Sequence, residues 1–396
     1  MAKNVVSRVD RNLARRLREA RREVGLTTRA VASRLPNKLA VSHSTIASYE
    51  NGTTVPPVDV LAALAEIYAR PLNWFLENRQ SLGYFRYRNL SSRVRLADQR
   101  QFEAVTGKWA DAYFNLGKHL NNDRRRHGDA LATQEDIPPA ALATMVRQKF
   151  LGLDDDQPVQ NMVWVLELFS AWALEIKASF DVDTAATRRG DDFVIVINPN
   201  VTNDRVRMSA AHELAHVLYD GCKRHLGWTD SDVEKKAYAF ASSLLLPNSQ
   251  LKAAFEGKSF LRLMRYKEQF GISLSAMIYM AERSRIINTT TSRWLWKEMS
   301  KRGWRQTEPG YVWRDRAINF ETMLECAIQT RVLTWADAER ITGVRESELQ
   351  ERIAAIMQID MPGAESRDPE ILKLEPRANA SDGTVTGTQT GSCNPS

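Results

Sequence analysis

The chain has 396 residues, 43% of them apolar, with 55 Lys and Arg against 48 Asp and Glu, a formal net charge of +7. That length suits two or three domains with proper cores, and no stretch approaches a membrane span or an apolar signal core, so a cytoplasmic protein is expected. Cys222, Cys326 and Cys393 are widely scattered without a C-x-x-C pair, which argues against a disulfide scaffold and a cysteine-rich zinc site. The charge is uneven: residues 1–100 hold 18 basic against 8 acidic residues, net +10, and the remainder 37 against 40, net −3. A basic end on a near-neutral body suits a DNA-binding module attached to an enzyme-like one.

Leu13, Leu17, Ala20 and Val24 recur at helical spacing, with Arg11, Arg15, Arg18 and Arg22 on the polar side, and Gly25 stops that helix. Thr27 to Leu35 reads as a short second helix with a hydroxyl cap, and Ser42 to Gly52 as a third. After Pro56 and Pro57, Val58 to Tyr68 resumes an apolar helical pattern that closes a small bundle. Asn12 to Leu76 resembles the Xre/Cro-type helix-turn-helix domains, through Leu13, Arg16, Arg21, Leu26, Val31-Ala32, Ser42, Thr45-Ile46, Tyr49-Glu50-Asn51-Gly52, Pro56, Leu61 and Leu64-Ala65. The resemblance implies double-stranded operator DNA as a partner, read by Ser42, His43, Ser44, Thr45 and Ser48 near the start of a recognition helix. Ser42 is equally an ordinary helix cap. The departure is Pro36-Asn37-Lys38-Leu39-Ala40, which lengthens the turn before that helix and leaves its angle in the groove open.

Ser91 to Leu120 is charged and helical in pattern, with Leu96, Phe102, Val105, Trp109, Phe114 and Leu116 as apolar positions. It reads as a connecting or dimerising helix, closed by the polar run Asn121 to Gly128, which is either a DNA contact or a solvated linker. Asp192 to Asn198 is an apolar β-branched run expected to form a buried strand. A polar turn leads to Val206 through Tyr219, whose apolar residues again follow helical spacing.

That helix carries His212-Glu213-Leu214-Ala215-His216, two of the chain's six histidines, placed four residues apart on one helical face. Two neutral imidazoles so placed can hold a divalent metal, with Glu213 beside them to take a proton from water. A plain helix with two partly buried histidines would show the same five residues, so the neighbours decide. A catalytic site needs a third protein ligand. Glu234 is the best candidate: it lies 18 residues past His216 and opens a second helical pattern that runs to Pro247, and Gly221 and Gly227 between them allow the chain to reverse.

Ala211-His-Glu-Leu-Ala-His216 followed by Glu234-x-x-Ala-x-x-Phe-Ala-x-x-Leu-Leu-x-Pro247 closely resembles the ImmA/IrrE metallopeptidases, which cleave repressors of phage or damage responses. The resemblance runs from about Ile137 to about Pro309, with Phe193 to Asn198 as the edge of the domain's small sheet. It implies His212, His216 and Glu234 as ligands of Zn2+ or another divalent metal, Glu213 as the base, and a repressor or antitoxin-like protein as substrate. Tyr238 stands where the family usually carries Asn; one turn after Glu234, it is either a contact to substrate or a developing oxyanion, or a half-buried packing residue. Asp220 is either an acceptor behind a ligand imidazole or an exposed helix-end carboxylate.

Beyond Pro309, Tyr311 to Ile359 reads as further helices without assignable chemistry, and from Met361 the composition turns to that of a disordered tail. The expected fold is mainly α with a small β-sheet: a helix-turn-helix bundle (1–80), a helical linker that could dimerise (81–130), an α+β zincin-like metallopeptidase domain (131–310), a helical C-terminal region (311–360) and a disordered tail (361–396). The reading is a cytoplasmic, homodimeric DNA-binding regulator with a fused zinc endopeptidase. Two alternatives stand beside it: a transcription factor whose metallopeptidase-like domain senses a ligand or damage without cutting, and an enzyme whose helix-turn-helix docks protein.

Overall fold

In the computed structural model, which describes residues 8–76, 82–121 and 135–357, the basic N-terminal end is a helical bundle. It comprises α1 (Arg8–Glu23), α2 (Thr28–Arg34), α3 (His43–Asn51), α4 (Val58–Ile67) and α5 (Leu72–Leu76). Leu13, Leu17 and Ala20 of α1 meet Val31, Ile46, Leu61 and Leu64 in one core, as the spacing predicts. Each boundary has a local cause. Gly25 takes a left-handed φ of +66° that ends α1, Thr27 caps α2, and Ser42 caps α3 by accepting the Thr45 N–H at 3.1 Å. Arg21 clamps α1 to α3 by donating to both oxygens of buried Glu50, at 2.5 and 2.7 Å, and to the Leu26 carbonyl. The lengthened turn at 36–40 is taken up by one 3-10 turn, Asn37–Leu39.

The rest of the fold is built on a four-stranded sheet in the order β1-β3-β4-β2, from β1 (Arg86–Arg88), β2 (Ala171–Glu175), β3 (Thr184–Arg189) and β4 (Asp192–Ile197). β4 pairs antiparallel with β3 and parallel with β2, and β1 adds antiparallel to β3. The run expected at the sheet's edge is therefore an interior strand. Its unbroken apolar character has a physical cause, for side chains alternate between two covered faces. Val194 and Val196 point into one core with Trp172 and Leu174 of β2, and Ile195 points into another with Ala171 and Ala186.

The first of these faces is covered by α6 (Leu96–His119) through Trp109, Tyr113 and Leu116, and by the C-terminal helices Asn319–Gln329, Trp335–Thr342 and Glu346–Met357. Of the apolar positions of α6, Phe102, Trp109 and Leu116 are buried inside the chain and Val105 and Phe114 pack against the same core, while Leu96 is exposed. Gly117 permits the close approach, since a Cβ there would lie 2.8 Å from the Trp172 ring. β1, within the segment expected to be a linker, belongs to the same sheet. The second face is covered by the helix Asn203–Leu218, which carries His212 and His216, and behind it by Asp230–Leu245, Pro139–Met145 and Leu274–Arg283. Arg207 anchors the first of these helices: it is 3% exposed, bonds both oxygens of buried Asp315 at 3.0 and 2.8 Å, and donates to the Val159 carbonyl at 2.6 Å.

The chain is mainly helical with one small mixed sheet. Among the described residues no helix is long and apolar enough to cross a membrane. The expectations for the basic run after Asn121 and for the tail from 361 concern residues outside those described.

Candidate metal centre

The spacing of His212 and His216 on one helix brings their rings to 5.3 Å between centroids, tilted by 49°, with the two residues 5% and 1% exposed. Glu234 comes from the next long helix. Thr229 and Asp232 form a capping box that starts this helix at Asp230, four residues before the start expected from sequence. Between the two helices lies a short one, Asp220–Leu226, so Gly221 is helical and only Gly227, with φ +68°, turns the chain. One oxygen of Glu234 lies 3.1 Å from His212 Nε2 and the other 3.0 Å from His216 Nε2. Ligand atoms of the three residues lie within 4.8 Å of one another, close enough to share one ion. The chemistry of the set, two imidazoles and one carboxylate, also fits zinc.

The hydrogen bonds dictate the proton positions of the rings. Glu234 accepts from both Nε2 atoms, and these bonds hold its carboxyl well below the usual carboxylate range. Burial pushes His212 below the usual imidazole range and outweighs the pull of Glu234, which keeps the ring neutral. Behind His216, Arg86 Nη1 lies 2.6 Å from Nδ1. A guanidinium can only donate, so Nδ1 is the acceptor and the ring proton sits on Nε2. Arg86 also donates to Glu213 at 3.0 Å and to Asp230 at 3.1 Å. A histidine that ligates through Nε2 carries its proton on Nδ1 and gives it to an acceptor. Among the described residues neither ring has one: His216 faces Arg86, and the buried His212 Nδ1 has no partner.

If His212, His216 and Glu234 hold a divalent ion, Arg86 as a donor to His216 Nδ1 would oppose ligation through Nε2, and it pairs with the carboxylate of Glu213. Replacement of Arg86 by Gln, whose carbonyl can accept the Nδ1 proton, is expected to tighten zinc binding by roughly tenfold or more, the scale of changes made behind metal-bound histidines. Competition against a chromophoric chelator measures this, and weaker binding in Arg86→Gln would contradict the assignment. Arg86 was not identified from sequence. It lies 127 residues before Glu213, on a three-residue strand with no local signal.

Asp220 takes neither role expected of it. It is 2% exposed and ion-paired to Arg188 at 2.6 Å and Arg224 at 2.5 Å, so its charge is spent on arginines rather than on an imidazole. Tyr238 is half-buried, packs edge-on to Tyr279 at 5.2 Å, and is pushed above the usual phenol range by burial, so it stays a hydrogen-bond donor. With Glu234, Ser242, Leu246, Tyr279 and Arg283 it lines a cleft of about 480 Å³ leading away from the histidines.

On the bundle, Ser42, His43 and Ser44 at the start of α3 are exposed, and Thr45 and Ser48 are partly so. Ser42 Oγ bonds Ser44 Oγ at 2.6 Å and Thr45 Oγ1 at 2.8 Å, so capping ties together three of the five residues.

Comparison with family models gives two matches. Residues 12–73 match a helix-turn-helix domain. Residues 176–282 match the IrrE N-terminal-like domain of the M78 peptidase family, a narrower span than the resemblance noted from sequence. No curated protein and no solved structure matches the chain.

Proposed function

From a chain that joins a helix-turn-helix domain to an IrrE N-terminal-like metallopeptidase domain, we propose a DNA-binding regulator that carries a zinc-dependent endopeptidase and acts on a repressor-type protein. One observation carries the enzymatic half: His212, His216 and Glu234 arrive from two helices with their ligand atoms within 4.8 Å of one another. His212, His216 and Glu234 would hold a divalent ion, whose chemistry when bound would be to acidify a water and polarise a carbonyl. Glu213, on the same helix and buried, takes the proton from water and passes it to the leaving amine. Tyr238 and the cleft beyond Glu234 receive the peptide on one side of the scissile bond, the phenol donating to its backbone. The test is incubation of the zinc-loaded protein with a repressor-type protein encoded beside it, with products read by mass spectrometry. New termini are expected, and an intact partner after zinc loading counts against hydrolysis.

The DNA-binding half rests on the exposed face of α3 and on the charge of the first 100 residues. A homodimer on paired half-sites belongs to the same proposal. Affinity for duplexes selected from a random pool is expected to fall linearly on a log–log plot with salt, and Ser44→Ala with Thr45→Ala to reduce selection among sequences. Equal binding by the variant to selected and unselected duplexes, with the parent unchanged, is the expected pattern; a salt-independent parent contradicts DNA binding.

A second reading, a domain that senses without cutting, has one observation in its favour. Arg86 hydrogen-bonds both the proposed base Glu213 and the proposed ligand His216. Hydrolysis that appears only in Arg86→Gln separates a gated peptidase from a pure sensor.

A further inference from the structure

The near-neutral body hides a charge asymmetry of its own. From Arg283 to Arg305, just past the span that matches the IrrE N-terminal-like domain, seven Lys and Arg stand against one acid, Glu298, while the other residues from 101 onward hold 30 basic against 39 acidic. Within that stretch, residues 293–305 set Trp294, Trp296 and Trp304 among five of the cations. Most of it is the helix Thr289–Lys301, whose inner face buries Ser292, Leu295 and Met299. Arg293, Lys297 and Lys301 recur every four residues on the opposite face, all exposed, with Trp294, 46% exposed, beside them.

Little of this charge is spent within the chain. Glu298 takes Lys301 at 2.9 Å and Arg302 at 2.7 Å, and among the described residues Arg283, Arg285, Arg293, Lys297 and Arg305 have no acid partner. Aromatic rings seat two of the arginines: Arg302 lies over Phe260 and Trp304 at 5.1 and 5.2 Å, and Arg305 over Trp296 at 5.0 Å. A ring face orients a guanidinium without cancelling its charge. Cations gathered in this way repel one another, and a regular ladder of anions relieves that repulsion. Duplex DNA is such a ladder, with one phosphate charge per about 1.7 Å of axis. Arg293 to Lys301 spans about 12 Å of helix, the length of several phosphates. The helix-turn-helix match at 12–73 marks a duplex as the polyanion this chain meets.

We propose that the outer face of residues 293–305 is a second contact to duplex DNA, made to its phosphates through Arg293, Lys297 and Arg305. The proposal rests on the DNA-binding half of the function above and is independent of metal binding and cleavage. Residues at the start of α3 supply the choice of sequence, and this face supplies affinity that is blind to sequence.

The test is a salt series of full-chain binding to a selected duplex that carries flanking sequence. Arg293→Gln with Lys297→Gln and Arg305→Gln removes three phosphate contacts from exposed positions. The log–log salt slope is expected to become shallower by about 2–3, and affinity to fall by a similar factor for selected and unselected duplexes. Lys149→Gln with Lys177→Gln and Arg345→Gln removes as much charge from exposed positions on other elements and is expected to leave the slope at the parent's value. Thermal unfolding at the parent's midpoint checks that each variant keeps its fold. A parental slope in the first variant, or an equal change in both, overturns the proposal and leaves DNA binding by α3 standing, whether or not an acidic protein or anionic vesicles bind the face. A parent that binds no duplex overturns both.

Discussion

Glu213→Gln is expected to leave zinc uptake at the parent's stoichiometry while lowering peptide hydrolysis by about 10²–10⁴-fold, the range for removal of a general base. Gln keeps the shape of the buried side chain and removes only its proton affinity. Glu213 is not one of the three ligand residues, whose atoms converge without it. Arg86 would retain Asp230 and His216 as partners, so the change should not strand a buried cation. Two readouts decide the matter together: metal content by mass spectrometry, and the rate of appearance of new peptide termini. Cleavage at the parent rate with metal bound would remove Glu213 from the mechanism, and loss of metal would make it a structural residue instead.

Asp315→Ala is expected to cost about 3–5 kcal/mol of stability, because it strands Arg207, a buried guanidinium, without its counter-ion. Asp315 also accepts the Met162 N–H at 2.6 Å, so a buried backbone donor is orphaned with it. Urea unfolding of the full chain measures the loss. Replacing both members with apolar residues, as in Arg207→Met with Asp315→Leu, is expected to recover much of it, since no buried charge then remains unpaired. A loss below about 1 kcal/mol in the single variant would show that water reaches Arg207 and that the anchor is weak. The effect should reach the metal centre, because Arg207 lies on the His212 helix, five residues upstream. Reduced zinc uptake in Asp315→Ala at a temperature where the chain is still folded would report that link.

Much of the bundle was legible because its signals are local. Gly25, Thr27, Ser42 and Gly52 each stop or cap a helix within four residues of themselves, and the apolar spacing of α1 and α4 names the core. The three candidate ligands were legible for the same reason, since a four-residue spacing on a helix and one downstream acid need no knowledge of the remaining fold. The sheet was less so. β3 reads Thr-Ala-Ala-Thr-Arg-Arg and β1 Arg-Tyr-Arg, too short and too polar for periodicity to separate them from loops. β4 was found as a strand and misplaced within the sheet, because a run buried on both faces does not state which neighbours cover it.

What the sequence determined by itself is the chemistry on offer: an imidazole pair, an acid beside it, a third acid 18 residues on, and a basic helical end. Only the tertiary structure decided how those groups are held. It placed Arg86 behind His216 and against Glu213, and gave Asp220 to two arginines. The physical reason is the range of the forces involved. Helix spacing and capping act over a few residues, while the partner of a buried charge is whatever group folding brings within about 3 Å of it, however distant along the chain.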